Sequence, residues 1–186
     1  RAAGKTLPDL TDTGTVNLHR LLLKRAAEGR PIRIAQIGAG KFGSMYLSQI
    51  PTTPGIHLVG IADLSPDRAR ENLARLGWKP DVTSASSFED ARRHGSTHLT
   101  DDWRALVSHP EIDIIVESTG DPIAAVEHAL EAFRHGKSVV MVTVEADAFC
   151  GPLLAKPAAA AGVIYSLAYG DQPALICELV DWARTS

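Results

Sequence analysis

Gly38-Ala39-Gly40-Lys41-Phe42-Gly43 fits the pattern G-x-G-x-x-G, directly follows the apolar run at 32–37, and opens a segment of helical periodicity. Asp63 lies 20 residues beyond Gly43, at the close of the next apolar run. A strand, a glycine turn, a helix and a second strand ending in an acid form a unit suited to a dinucleotide. In such a unit Gly38 permits the tight turn, Gly40 lets backbone approach a pyrophosphate, and Gly43 lets helix and strand pack closely. The free N–H groups and positive end of the helix, with Lys41 and Phe42 in its first turn, then hold the phosphates. Asp63 accepts hydrogen bonds from a ribose 2′-OH and repels a 2′-phosphate, which argues for NAD. Arg68 and Arg70 follow in the first turns of the helix begun by Ser65-Pro66. An arginine reaching back from there would neutralise a 2′-phosphate. Both arginines also fit a solvated helix face beside Asp67 and Glu71, so the choice between NAD and NADP stays open.

Three further polar clusters close later strands. Glu117-Ser118-Thr119-Gly120-Asp121-Pro122 ends the fourth. Ser118, Thr119 and Gly120 are candidates to border a nicotinamide ribose, while Asp121 or Thr119 equally suits a cap for the next helix. Glu145-Ala146-Asp147 follows the fifth strand; Glu145 is a candidate acid or base, and Asp147 a candidate cap for a helix at 152–161. Tyr169-Gly170-Asp171-Gln172-Pro173 follows the sixth strand and offers Asp171 as a second acid–base candidate. His94 and His98 are separated by Gly95 and Ser96 and have no ligand cluster beside them, so no metal site is predicted. Neither a G-x-S-x-G elbow nor a G-x-x-x-x-G-K-[ST] loop occurs, which leaves hydrolase and NTPase readings without support.

These groups need a scaffold that brings strand ends together. Strands are predicted at 32–37, 57–62, 97–100, 112–118, 138–144 and 163–168, with helices near 42–50, 66–76, 102–108, 122–135 and 152–161. Continuous apolar strands alternating with helices imply parallel βαβ units: an α/β fold with a doubly wound parallel sheet of Rossmann type. The polar stretch 79–96 is predicted to be an insertion with a short helix at 87–94. Residues 1–16 are expected to be a disordered lead. Asn17 caps a helix within 17–30 whose Leu18, Leu21, Leu22 and Ala26 share a face, and Gly29 stops it. The dinucleotide-binding domain is expected over 31–170. A final helix carrying Leu175, Ile176, Leu179 and Val180 within 171–186 is expected to lead into a second, catalytic domain that the sequence does not contain.

With 19 Lys and Arg against 22 Asp and Glu, the chain carries a net charge of −3, and no general electrostatic case for nucleic acid exists. No apolar stretch approaches the ~18 residues a spanning helix needs, so no membrane partner is expected. Cys150 and Cys177 form no Cys-x-x-Cys pair; both are expected to be core thiols in a reducing cytoplasm. Trp78, Trp103 and Trp182 are read as packing residues. The expected partner is a small-molecule substrate, and association into a homo-oligomer stays open.

With GAGKFG, VESTGDP, MVTVEAD and SLAYGDQPALICELVDW in this order, residues 17–186 resemble the homoserine-dehydrogenase-like oxidoreductases that include the DXR-like enzymes. The resemblance implies an NADPH-dependent reductoisomerase that converts 1-deoxy-D-xylulose 5-phosphate to 2-C-methyl-D-erythritol 4-phosphate in isoprenoid precursor synthesis. It favours NADPH where Asp63 argues for NAD. A homoserine-type dehydrogenase of another small hydroxy or carbonyl substrate is the alternative within the fold, and a nucleotide-sensing module without chemistry is the alternative outside enzymology.

Overall fold

Both faces of the strands are covered by helices, which is why their apolar runs are unbroken. The computed structural model describes residues 17–168 and 172–185, so the expected lead 1–16 and residues 169–171 lie outside the described residues. In chain order the elements are α1 (Leu18–Ala27), β1 (Ile32–Ile37), α2 (Lys41–Leu47), β2 (Ile56–Ala62), α3 (Pro66–Arg75), α4 (Phe88–His94) and β3 (His98–Thr100). Then follow α5 (Trp103–Ser108), β4 (Ile114–Glu117), α6 (Pro122–Arg134), β5 (Ser138–Met141), α7 (Val144–Ala161), β6 (Tyr165–Leu167) and α8 (Gln172–Thr185). All strand pairs are parallel, in the order β3-β2-β1-β4-β5-β6. This is the doubly wound α/β sheet expected from the sequence. The chain builds outward from β1 through β2 and β3, then returns to β4 on the other side, so strand order reverses between β1 and β4.

Alternation along each strand divides the core into two layers. Ala35, Ile37, Val59, Leu106, Ile115, Ala125, Ala129 and Met141 fill the layer under α4 to α7. Ile34, Leu47, Leu58, Ile61, Leu73 and Trp78 fill the layer under α2 and α3, where Trp78 Nε1 also donates to Leu47 O at 3.1 Å. Caps fix several helix starts: Asn17 Oδ1 accepts from His19 N at 3.0 Å, and Ser87 Oγ accepts from Asp90 N at 3.1 Å. The short helix expected at 87–94 is therefore α4.

Several expectations are corrected. The strands predicted at 112–118 and 138–144 end at Glu117 and Met141. The helix predicted at 152–161 begins at Val144, with a break at Cys150 (φ −146°, ψ 20°). Proline lacks an N–H and its ring would clash with the carbonyl four residues back, so Pro152 interrupts the helix just upstream and then sits harmlessly in the opening turn of the second segment. Pro152 marked only that second start. Cys150 is buried, but Cys177 is exposed rather than in the core, because α8 presents its apolar residues outward. Trp182, on the same helix, is likewise 60% exposed, and Leu18 of α1 is 76% exposed. No helix among the described residues is long and apolar enough to cross a membrane.

Ile115 has no exposed surface in the central strand β4, so Ile115→Ala should lower unfolding free energy by about 3 kcal/mol, as buried large-to-small changes do. Leu18→Ala on the exposed face of α1 should stay within ~0.5 kcal/mol. Urea unfolding with an unchanged m value checks both.

Candidate functional site

Strand order reverses between β1 and β4, where the chain runs on into α2 over one core layer and into α6 over the other, and the three glycines lie at the exit of β1 for different reasons. Gly38 has φ +91°, and a Cβ on it would lie 2.8 Å from Ser118 O and 2.9 Å from Thr119 Cα. Only glycine fits that backbone. A Cβ on Gly43 would overlap Gln36 Nε2 and stand 2.7 Å from Gly38 O. Gly40 answers to no such demand. Its backbone (φ −75°, ψ −163°) is extended and open to any residue, and a Cβ would meet nothing within 4 Å. Gly40 occupies the N-cap of α2 and brings no capping side chain, so its position supplies no side-chain acceptor for the first-turn N–H groups of the helix. Lys41 and Phe42 are exposed in that first turn.

The glycine loop is pinned from both flanks. On the β2 side, Asp63 Oδ2 accepts from Ala39 N at 2.8 Å and Oδ1 from Ser65 N at 2.9 Å, while Asn72 Nδ2 donates to Ala39 O at 3.3 Å. Each carboxylate oxygen retains a lone pair for a further donor. Ser65 stands at the N-cap of α3 but makes no side-chain cap bond, and its N–H is held by Asp63 instead. Arg70 pairs with Asp67 at 3.2 Å, whereas Arg68 is exposed and makes no ion pair with the described residues.

On the β4 side, Ser118 is buried, and its Oγ donates to Gly38 O at 2.8 Å. Gln36 Nε2 donates to the same carbonyl, also at 2.8 Å. The Ser118 hydroxyl thus braces the glycine loop from within and does not line the cleft. Thr119 and Gly120 are exposed at the cleft edge. Asp121, not Thr119, caps α6: its Oδ1 accepts from Ile123 N at 3.0 Å and Ala124 N at 3.1 Å. Behind this loop Glu117 is fully buried, within hydrogen-bond reach of Thr119, Thr143 and His128.

Of the two acid–base candidates, Glu145 is exposed in the first turn of α7 and Asp171 lies outside the described residues. Asp147 does not cap a helix, because α7 already begins at Val144. It accepts instead from Tyr165 Oη at 2.8 Å, with Gly151 leaving room for its carboxylate. Burial, reinforced by that carboxylate, pushes the Tyr165 phenol well above its ordinary value. Gln36, Glu117, Thr143 and His128 were not singled out from the sequence. Gln36 and Glu117 did leave a signal, each a strongly polar residue within an otherwise apolar strand.

A doubly wound sheet in this order, with a glycine turn and an uncapped helix start where the order reverses, defines an NAD(P)-binding domain. The family described as homoserine dehydrogenase, NAD binding domain, matches residues 38–167, and the chain belongs to it. Homoserine dehydrogenase from Methylobacillus glycogenes is 40% identical over 78 residues, which cover 39% of this chain and 19% of that protein. Glycosyl hydrolase family 109 protein 1 from Bacteroides fragilis is 28% identical over 113 residues, 59% of this chain and 22% of that protein. The structure of Synechocystis biliverdin reductase in complex with biliverdin and NADP+ is similar in fold. Its TM-score is 0.53 at 19% identity, over 74% of this chain and 37% of that one. The chain therefore spans about a fifth of the length of these curated relatives.

Gly43→Ala should lower stability by about 1–3 kcal/mol through overpacking against Gln36 and the Gly38 carbonyl, outweighing the ~1 kcal/mol that alanine gains in a helix. Thermal unfolding decides; a more stable variant would mean that the loop yields and the close packing is unimportant.

Proposed function

We propose that this chain holds the nicotinamide cofactor for a dehydrogenase of the homoserine-dehydrogenase-like kind, acting on a small hydroxy or carbonyl substrate. Gly40 is the observation that carries the reading: the chain's own packing leaves its Cβ position open, and a dinucleotide pyrophosphate is what that space and the uncapped α2 N–H groups suit. Gly38, Gly40, Lys41, Phe42 and Gly43 form the pyrophosphate cradle. Asp63 receives the adenosine ribose through its remaining lone pairs, and Thr119 and Gly120 border the nicotinamide side, with Ser118 supporting both loops from behind. When bound, the cofactor supplies or accepts a hydride. Glu145 is the carboxylate proposed to give or take the accompanying proton, with Asp171, outside the described residues, as the second candidate.

The cofactor preference follows from charge. Asp63 already receives two backbone N–H groups, so part of its negative field is compensated. Arg68, which makes no ion pair among the described residues, is the arginine proposed to meet a 2′-phosphate, because Arg70 is engaged by Asp67. Both free cysteines, one of them exposed, suit a reducing compartment such as the cytoplasm. A second reading, the reductoisomerase acting on 1-deoxy-D-xylulose 5-phosphate, rests on the resemblance of YGDQPALICELVDW, which lies beyond the 38–167 family match. The bacteroidal relative is named as a glycosyl hydrolase, a reminder that this domain is shared by proteins of different named activities.

Asparagine is a favoured N-cap, so Gly40→Asn should leave folding stability within about 1 kcal/mol while its side chain occupies the cradle and takes the same N–H groups. NADH and NADPH binding, followed by calorimetry, should fall at least ~30-fold, the loss of one to two charge-assisted hydrogen bonds. Unchanged affinity in the folded variant would remove the cradle assignment. Arg68→Ala should weaken NADPH by about tenfold, one lost charge-assisted contact, and leave NADH unaltered. Equal effects on both would remove Arg68 from the ribose site.

A further inference from the structure

Glu117 has no exposed surface and no assigned contact with cofactor, yet it is the most densely bonded side chain near the cleft. Oε1 accepts from Thr119 Oγ1 at 2.6 Å and Thr119 N at 3.3 Å, with His128 Nδ1 at 3.2 Å. Oε2 accepts from Thr143 Oγ1 at 2.5 Å. The two hydroxyls are directional relays. Thr143 Oγ1 accepts from Gly120 N at 3.0 Å, and Thr119 Oγ1 accepts from Asp121 N at 3.2 Å. A backbone N–H can only donate, so each hydroxyl proton is directed to Glu117. One buried carboxylate thereby orients both hydroxyls and, through them, the 120 and 121 peptides. His128 closes the third side, its ring packed on Trp103 at 4.5 Å between centroids.

The geometry points to Glu117 as a positioning residue for the nicotinamide half of the cofactor, an inference that rests on the dinucleotide reading above. It touches no cofactor atom. It acts through Thr143 on Gly120, whose φ of +75° and open Cβ side leave its peptide exposed at the cleft. The adenosine half depends on other bonds, those of Ala39 and Asp63 on the far flank of the glycine loop. Replacing Glu117 by glutamine preserves shape but places an NH2 where one threonine hydroxyl needs an acceptor. The proton of that hydroxyl must turn away from position 117, so its lone pairs are no longer held in the direction that receives the N–H of Gly120 or Asp121, and that bond weakens.

The test compares NADH and NADPH with ADP-ribose, which carries the adenosine and pyrophosphate but no nicotinamide, in titrations of the full chain. Glu117→Gln should weaken the dinucleotide by about tenfold or more, as for a lost buried hydrogen bond, and hold ADP-ribose within ~2-fold. The nicotinamide fluorescence enhancement should fall with it. Thr143→Val, which removes the relay without touching the charge, should reproduce this asymmetry, and Thr143→Ser should restore near-native binding. Thr143→Val carries the test if Glu117→Gln does not fold. Parallel losses for both ligands, or no loss for either, overturn the positioning role. An unsubstituted chain that binds ADP-ribose as tightly as the dinucleotides also overturns it while sparing the cradle; a chain that binds none of them overturns the cofactor reading itself.

Discussion

The carbonyl oxygen of Gly38 receives Gln36 Nε2 and Ser118 Oγ, while its α-carbon lies against the backbone of Ser118 and Thr119. That contact joins the exit of β1 to the exit of β4 with no room for a side chain between them. Everything at the carboxyl edge follows from it. The turn must start with a left-handed glycine, and α2 must begin close over the sheet, which forces a second glycine at position 43. The space above the helix start is what remains. The Gln36 NH2 and the Ser118 hydroxyl would each be costly to bury unpaired, and the Gly38 carbonyl is the acceptor they share, whereas Gln36 Oε1 is buried without a partner among the described residues.

The two flanks of the loop are held by different chemistry. Towards β2 a carboxylate, Asp63, grips the backbone of Ala39 and the turn into α3. Towards β5 a second carboxylate, Glu117, reaches its loop through two hydroxyls. Both acids stand at strand ends, but one is half-exposed at the cleft and the other sealed beneath it. The exposed acid has lone pairs left for a ligand, whereas the buried one is engaged by protein on both oxygens. The proposed cofactor site on this edge therefore divides into direct contact by Asp63 and support by Glu117.

Much of this was legible in the sequence because it is local. The glycine spacing, the apolar strands and Asp63 at a strand end are all patterns within about 30 residues. Asn17 as a helix cap is local too, as is the choice of Asp121 or Thr119 before α6, which the structure resolves in favour of Asp121. What escaped depends on long-range partners: Thr143 meets Glu117 across 26 positions, and Ser118 meets Gly38 across 80. Sequence order put Ser118 beside Thr119 and Gly120 as if all three faced the cleft, but successive residues leaving a strand point to opposite sides. The start of α7 escaped for another reason. Pro152 is so strong a local signal that it masked six residues of helix before it, and with them the true setting of Glu145 and Asp147.

The proposed site has the start of α2 and the loop after β4 together receive one dinucleotide. Amide chemical shifts of the 15N-labelled chain, followed as NADH or NADPH is added, test it most directly. The largest shifts are expected at Gly40, Lys41, Phe42 and Gly43, and at Thr119, Gly120 and Asp121, titrating together with one affinity. Shifts confined to the opposite edge of the sheet, where Arg25, Arg33, His57 and Arg92 line a second cleft, would contradict it, as would a glycine loop whose amides do not move.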